Sequence, residues 1–436
     1  MRIRTAATLL AAGVVTLTAA CGAVNVGGSG STVGAVPANP AKVSGTVTMW
    51  IYPIDPTREQ ADWAPRVAAF ERKYPHVKVN VVVQPWANRD EQLQTAIAGG
   101  KAPDVVYMIP DQIPGYASNG SLADVSSLVA SDKSDFRPDA LKALSYGGKL
   151  YGVPLLTQVT TLLANKKAMK AAGISRAPKT WGDLLADAPK LKRAGYYATE
   201  YDADPTQTLN ETFYPLLWQA GGQVLTPDGT KAAFDSAAGV AALTFLTKLV
   251  NGGYVPRDSL TTPPQPDTDP IEQGKVGFVM AGDVAALIPT KAMPLSGWAV
   301  YPPLSAGSAG SAGPGAKPVS YGTVGGLSIL SGSKDKTAAA AWVNWVTSTG
   351  QMKSYDKSHH YFPARSSAGT LFPRSTLEGK EERLLPDMTI GSIGLKSRQL
   401  MGVISPHIQA ALLGQATPRQ ALSAAASAAD NLLSRG

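Results

Sequence analysis

Residues 45–108 alternate between a period of two and a helical period, and that alternation constrains the fold more than any other feature. Val47, Met49 and Ile51 alternate with Thr46, Thr48 and Trp50, which predicts a first strand. Trp63, Val67 and Phe70 follow at helical spacing, and Tyr74-Pro75 stops that helix. Val77, Val79, Val81 and Val83 predict a second strand. Residues 90–98 predict a second helix ended by Gly99-Gly100, and residues 103–108 a third strand. Strands joined through helices pair in parallel, because each crossover needs the length a helix supplies. The expected class is α/β, with a parallel sheet at the start of the chain.

Beyond Pro154 the pattern becomes more helical. Leu184, Leu185, Ala188 and Leu191 share one face, residues 238–250 carry a broad apolar stripe, and Ile404, Ile408 and Leu412 recur at four-residue steps. Strand-like runs return at 276–280, 298–301 and 325–330. Two low-complexity stretches, 263–270 and 305–313, read as solvent loops.

Cys21 is the only cysteine of 436 residues, so no intrachain disulfide can form and the fold must rest on apolar burial. Arg2 and Arg4 precede an apolar stretch from Ala6 to Ala20, too short to span a bilayer with its flanks. Residues 1–20 therefore read as an export signal. Small residues before Cys21 resemble a bacterial lipobox, with Thr18 where leucine is usual and Leu17 one step further out. The expectation is a lipid anchor on Cys21 at the outer face of the cell membrane. An ordinary secretory signal with Cys21 incidental is the alternative. Residues 21–44, with a single charge at Lys42, read as a flexible tether. The formal charge of +8 is spread thinly, which excludes the clustered cations of a nucleic-acid footprint.

Several segments resemble one family. They are Phe70-Glu71-Arg72-Lys73-Tyr74-Pro75, Ala98-Gly99-Gly100-Lys101-Ala102-Pro103-Asp104-Val105-Val106, Lys149-Leu150-Tyr151-Gly152-Val153-Pro154, Pro178-Lys179-Thr180-Trp181, Trp218-Gln219-Ala220-Gly221-Gly222 and Gly274-Lys275-Val276-Gly277-Phe278. In order and spacing the chain resembles the extracellular solute-binding proteins of ABC importers, of the maltose-binding-protein-like, sugar-recognising branch. The resemblance implies a two-lobed periplasmic-binding-protein-like fold of type II. Its lobes would comprise residues 45–156 with 281–327, and 157–280 with 328–436, crossing near Thr157, Met280 and Leu327. It further implies a monomer that binds solute between the lobes and docks on a membrane permease when closed.

Sugar recognition uses aromatic faces against C–H surfaces and planar polar groups on hydroxyls. By that chemistry and the resemblance, the candidates begin with Trp50 and Tyr52 at the end of the first strand. Trp50 has core packing as its alternative. Trp86 follows the second strand, and Asp111 follows the third, where it either accepts from hydroxyls or caps a helix. Thr157 and Gln158 lie at the first crossover. Phe213 and Tyr214 are candidate stacking residues, while the nearby Asp202, Asp204 and Glu211 either recognise an amine or form a solvated acidic loop. By the resemblance, Asp283 stands where the family has an aromatic platform, and Met401 fills a second such position. Gly325 and Gly326 would let a ligand approach the backbone, and Arg365 of a Pro-x-Arg loop is either structural or anion-binding.

His76, His359, His360 and His407 form no metal-binding spacing, and no nucleophile elbow, Walker A or dinucleotide fingerprint occurs. No metal or cofactor is expected, and no catalysis. With Arg365 the only evident cleft cation, the expected solute is a neutral or amino sugar. A glycerophosphodiester or other polar phosphate metabolite is the alternative, and a glycan-active enzyme the alternative of a different class.

Overall fold

A computed structural model of the chain describes residues 31–53, 59–86, 88–205, 207–262, 269–287, 293–307, 316–391 and 393–435. The export signal and Cys21 lie outside these residues, as do most of the two low-complexity stretches. The first elements follow the periodicity: β1 (Ser44–Ile51), α1 (Glu59–Lys73), β2 (His76–Val83), α2 (Arg89–Ala98) and β3 (Val105–Met108). β1 lies between β2 and β3, parallel to both. Its Val47, Met49 and Ile51 point into the core while Trp50, between them, is only half-buried.

The strand Ser320–Ile329 joins β3 antiparallel, Val153–Val159 pairs beyond it, and the short strands Phe362–Pro363 and Met388–Thr389 complete a mixed seven-stranded sheet. A second sheet places Thr161–Asn165 between Phe278–Gly282 and Trp298–Tyr301. Each sheet has its own core. In the first, Trp342 meets Phe70 edge-on at 5.0 Å and Trp63 lies 5.2 Å from Tyr355. In the second, Trp181 stacks on Phe245 at 4.8 Å, and its indole N–H donates to Gln219 at 2.8 Å. These two cores define two lobes.

The cores divide the chain differently from the expected boundaries. Trp298–Tyr301 stays with the second lobe, so the chain does not cross near Met280. The crossing falls inside Ser320–Ile329, where Tyr321 belongs to the second core and Val324 to the first. The helices Lys336–Val346 and Thr349–His359 then pack in the first lobe, because Trp342 and Tyr355 complete the aromatic cluster around Trp63. The helices Ser397–Leu412 and Pro418–Leu433 cover the second core.

The tether also departs from expectation. Residues 31–43 lie on the first lobe: Val33 is buried, its N–H donates to the Asp124 carbonyl at 2.9 Å, and Val43 is buried as well. Two valines and backbone pairing outweigh the loop-like composition around them. Among the described residues no helix is long and apolar enough to cross a membrane.

Candidate functional site: the cleft between the lobes

The first lobe contributes an aromatic wall. Tyr52 follows β1 and is buried, with its ring stacked on Trp86 at 4.9 Å and 27°. Trp86 follows β2, is 41 % exposed, and donates its indole N–H to the Pro53 carbonyl at 2.6 Å. Its edge contact with Tyr107, at 6.3 Å and 84°, fixes the ring further. An exposed indole braced by Tyr52 and Tyr107 is a pre-set platform for an apolar sugar face. Burial pushes the Tyr52 hydroxyl up to about 12, so it stays a neutral donor.

At the start of α2 the Arg89 guanidinium lies 4.9 Å from the Trp86 ring and 5.8 Å from Tyr52. Arg89 is buried, and its Nε has no hydrogen-bond partner among the described residues. The next residue, Asp90, accepts from Gln112 at 2.7 Å.

Asp111 is 6 % exposed. Its Oδ2 accepts from Arg398 Nη1 at 3.3 Å and from Asn210 Nδ2 at 3.5 Å, both on the second lobe. Its Oδ1 is buried with no partner among the described residues. The capping alternative is not realised, because the N-cap of the helix Ile113–Ser118 is Gln112. Arg398 also donates through Nε to Asp90 Oδ2 at 3.1 Å, so one guanidinium of the second lobe holds two carboxylates of the first.

On the second lobe, Glu211 is exposed. Its carboxyl is raised to about 7, first by desolvation and then by the charge of Asp283, with Arg89 pulling the other way. Asp283 is buried at the end of Phe278–Gly282, and Glu381 beside it accepts from the Val284 N–H at 3.1 Å. Burial and Asp283 hold the Glu381 carboxyl well above its ordinary range. The Tyr361 hydroxyl is likewise raised, by burial and then by Asp283 and neighbouring groups including Glu211.

Other candidates lie elsewhere. Trp50 packs against the first core, and Phe213 and Tyr214 are buried in the second. Burial and then Asp111 raise the Tyr214 hydroxyl above its ordinary range. Thr157 is fully buried and donates to the Phe362 carbonyl at 3.0 Å, a bond within the sheet. Gln158 is half-buried beside Thr323 in that sheet. Gly325 and Gly326 flank a register shift. A Cβ on Gly325 would overlap the Tyr107 hydroxyl, and one on Gly326 would overlap Leu144, so packing accounts for both glycines. Arg365 is not in the cleft. It is buried against the Phe136 ring, pairs with Asp132 at 2.6 Å and Asp135 at 3.0 Å, and donates to the Thr347 carbonyl. That network uses its charge internally, so it offers none to a solute. Among the described residues the cations at the cleft are Arg89 and Arg398, which the sequence reading did not single out.

Residues 55–353 match the bacterial extracellular solute-binding protein family. The chain belongs to that family. A Brucella abortus (strain 2308) protein described only as a binding protein is 23% identical over 374 residues, covering 84% of this chain and 88% of that one. The diacetylchitobiose-binding protein DasA of Streptomyces coelicolor is 32% identical over 190 residues, 43% of this chain and 42% of DasA. A solute-binding protein of an ABC transporter from Thermotoga lettingae, solved with alpha-D-tagatose, superposes with a TM-score of 0.79 at 24% identity, covering 89% of this chain and 100% of that one. The fold of this solute-binding protein is thus the two-lobed, maltose-binding-protein-like one.

Proposed function

We propose that the protein is the receptor of an ABC importer and captures a sugar or sugar-like solute, neutral or amino-bearing, between its lobes. The observation that carries this reading is the exposed Trp86 platform, braced by Tyr52, on the lobe whose Asp111 reaches Arg398 and Asn210 of the other lobe. Such residues offer a stacking face and a hydroxyl acceptor from one lobe. The DasA relative and the tagatose-bound neighbour support the same solute class. Closure of the lobes over the solute would present the docking face to a membrane permease, and a lipid on Cys21 would keep a monomeric receptor beside it. The residues proposed to touch solute are Trp86, Tyr52, Asp111, Arg89, Glu211 and Asp283.

The test is a thermal-shift panel of mono- and disaccharides, amino sugars and glycerophosphodiesters. A bound solute at 100 times its Kd adds roughly 2.7 kcal/mol of stability, so a hit is easily read. Stabilisation by saccharides supports the reading. A response to phosphodiesters alone contradicts it.

A further inference from the structure

Granted that the cleft is the sugar site proposed above, the surroundings of Trp86 assign a role to the residue packed against it. We infer that Arg89, besides any solute oxygen it donates to, is a positioning residue: with Tyr52 it fills one side of the Trp86 indole and keeps the opposite face turned to the solute.

The three groups pack as a unit. The Tyr52 and Trp86 ring centroids are 4.9 Å apart, and the Arg89 guanidinium lies 4.9 Å from Trp86 and 5.8 Å from Tyr52. In a triangle with those sides the angle at the indole is acute, so Tyr52 and Arg89 lie on the same side of the ring rather than on opposite faces. Both are buried, at 2 % and 6 %, whereas Trp86 is 41 % exposed. The covered side of the indole is therefore theirs, and the other side is open.

Arg89 is not held there by an acid. Its Nε is buried with no hydrogen-bond partner among the described residues, and the neighbouring Asp90 is engaged by Arg398 and Gln112. Nor does helix stability explain it, because Arg89 opens α2, where the positive end of the helix disfavours a cation. The backbone adds an independent observation. Asn88, just before it, has a φ of 55°, a left-handed conformation that a non-glycine residue keeps only where its surroundings demand it. A buried guanidinium needs something to receive its charge, and the π faces of Trp86 and Tyr52 do so. Its planar group in turn fixes the indole, so the solute meets a ring already in place and less freedom is lost on binding.

A double-mutant cycle by calorimetry, with the best saccharide of the thermal-shift panel, tests this. Arg89→Met, uncharged and of similar length, is expected to weaken binding at least about fivefold, and Arg89→Lys, which keeps the charge, by less. In a Trp86→Ala background Arg89→Met should change affinity less than about twofold, because its effect runs through the indole. Arg89→Gln replaces the methionine variant if that one alters the melting profile. An equal loss in both backgrounds, as a purely structural role or direct contact alone would give, overturns the inference and leaves the sugar reading intact. The solute-free protein gives a second readout. Trp86 emission, taken as the difference from the Trp86→Phe protein, should be quenched by acrylamide at least about twofold more strongly in Arg89→Met, since one side of the ring loses its cover. Equal quenching also overturns the inference. If no saccharide binds, the sugar reading falls, and the quenching alone decides whether Arg89 positions the indole.

Discussion

Arg398 donates to Asp111 at 3.3 Å across the cleft, and the same guanidinium reaches Asp90 at 3.1 Å. The helix that carries it belongs to the second core, whereas both carboxylates belong to elements of the first lobe. The two lobes are therefore latched by charge. Hinge closure here has a polar component that a solute must share or displace.

Removing the latch should open the cleft. Arg398→Ala leaves two carboxylates without their partner, which favours separation of the lobes. Small-angle scattering of the solute-free variant should show a larger radius of gyration than wild type. Solute affinity should fall about tenfold, roughly 1.4 kcal/mol. An unchanged radius and affinity would show that the latch does not govern closure.

Gly325 should be intolerant of a side chain for a reason two contacts deep. A Cβ there meets the Tyr107 hydroxyl, and Tyr107 braces the edge of Trp86. Gly325→Ala is expected to displace the platform and weaken solute binding about tenfold, with the far-ultraviolet dichroism retained. Wild-type affinity in this variant would contradict that chain of contacts.

The first lobe depends on one indole. Trp342 is fully buried between Phe70 at 5.0 Å and Trp345 at 5.6 Å, and its N–H points at Met49 Sδ at 3.2 Å. Trp342→Ala should cost about 3–5 kcal/mol in a urea unfolding curve. A loss below about 1 kcal/mol, the scale of an exposed substitution, would contradict the packing described.

Stability should fall as pH rises from about 5 to 8. Burial and the adjacent Asp269 raise the Glu200 carboxyl to about 8, and Glu211 is raised to about 7. Between the ordinary carboxylate range and these values the folded protein binds more protons than the unfolded chain. Stability contributed by those protonated forms is thus lost on alkalinisation. Glu200→Gln should flatten the decline by roughly 2 kcal/mol and be more stable than wild type at pH 8. Urea midpoints at pH 5.5 and pH 8 give the answer, and a wild-type stability that rises across this range contradicts it.

How much of this was legible depended on sequence distance. β1, β2 and β3 were readable because alternation and helical spacing are local signals, and Tyr52, Trp86 and Asp111 were findable because each follows a strand end. Arg89, three residues after Trp86 at a helix start, could have been found by the same rule. Arg398 could not, since 287 residues separate it from Asp111 and nothing local marks the contact. The lobe assignment of Lys336–Val346 was hidden for a related reason. Its apolar face, Ala338 to Val343, would suit either sheet, and only the contact of Trp342 with Phe70 selects the first. Arg365 misled because a Pro-x-Arg loop looks the same whether its guanidinium faces solute or, as here, Asp132 and Asp135.

The most direct test of the central claim is the saccharide affinity of Trp86→Ala beside wild type, measured by calorimetry with the best solute from the thermal-shift panel. The account predicts at least about a tenfold loss, the worth of one stacking face, with an unchanged melting temperature of the solute-free protein. Undiminished binding by Trp86→Ala would contradict capture on the platform between the lobes.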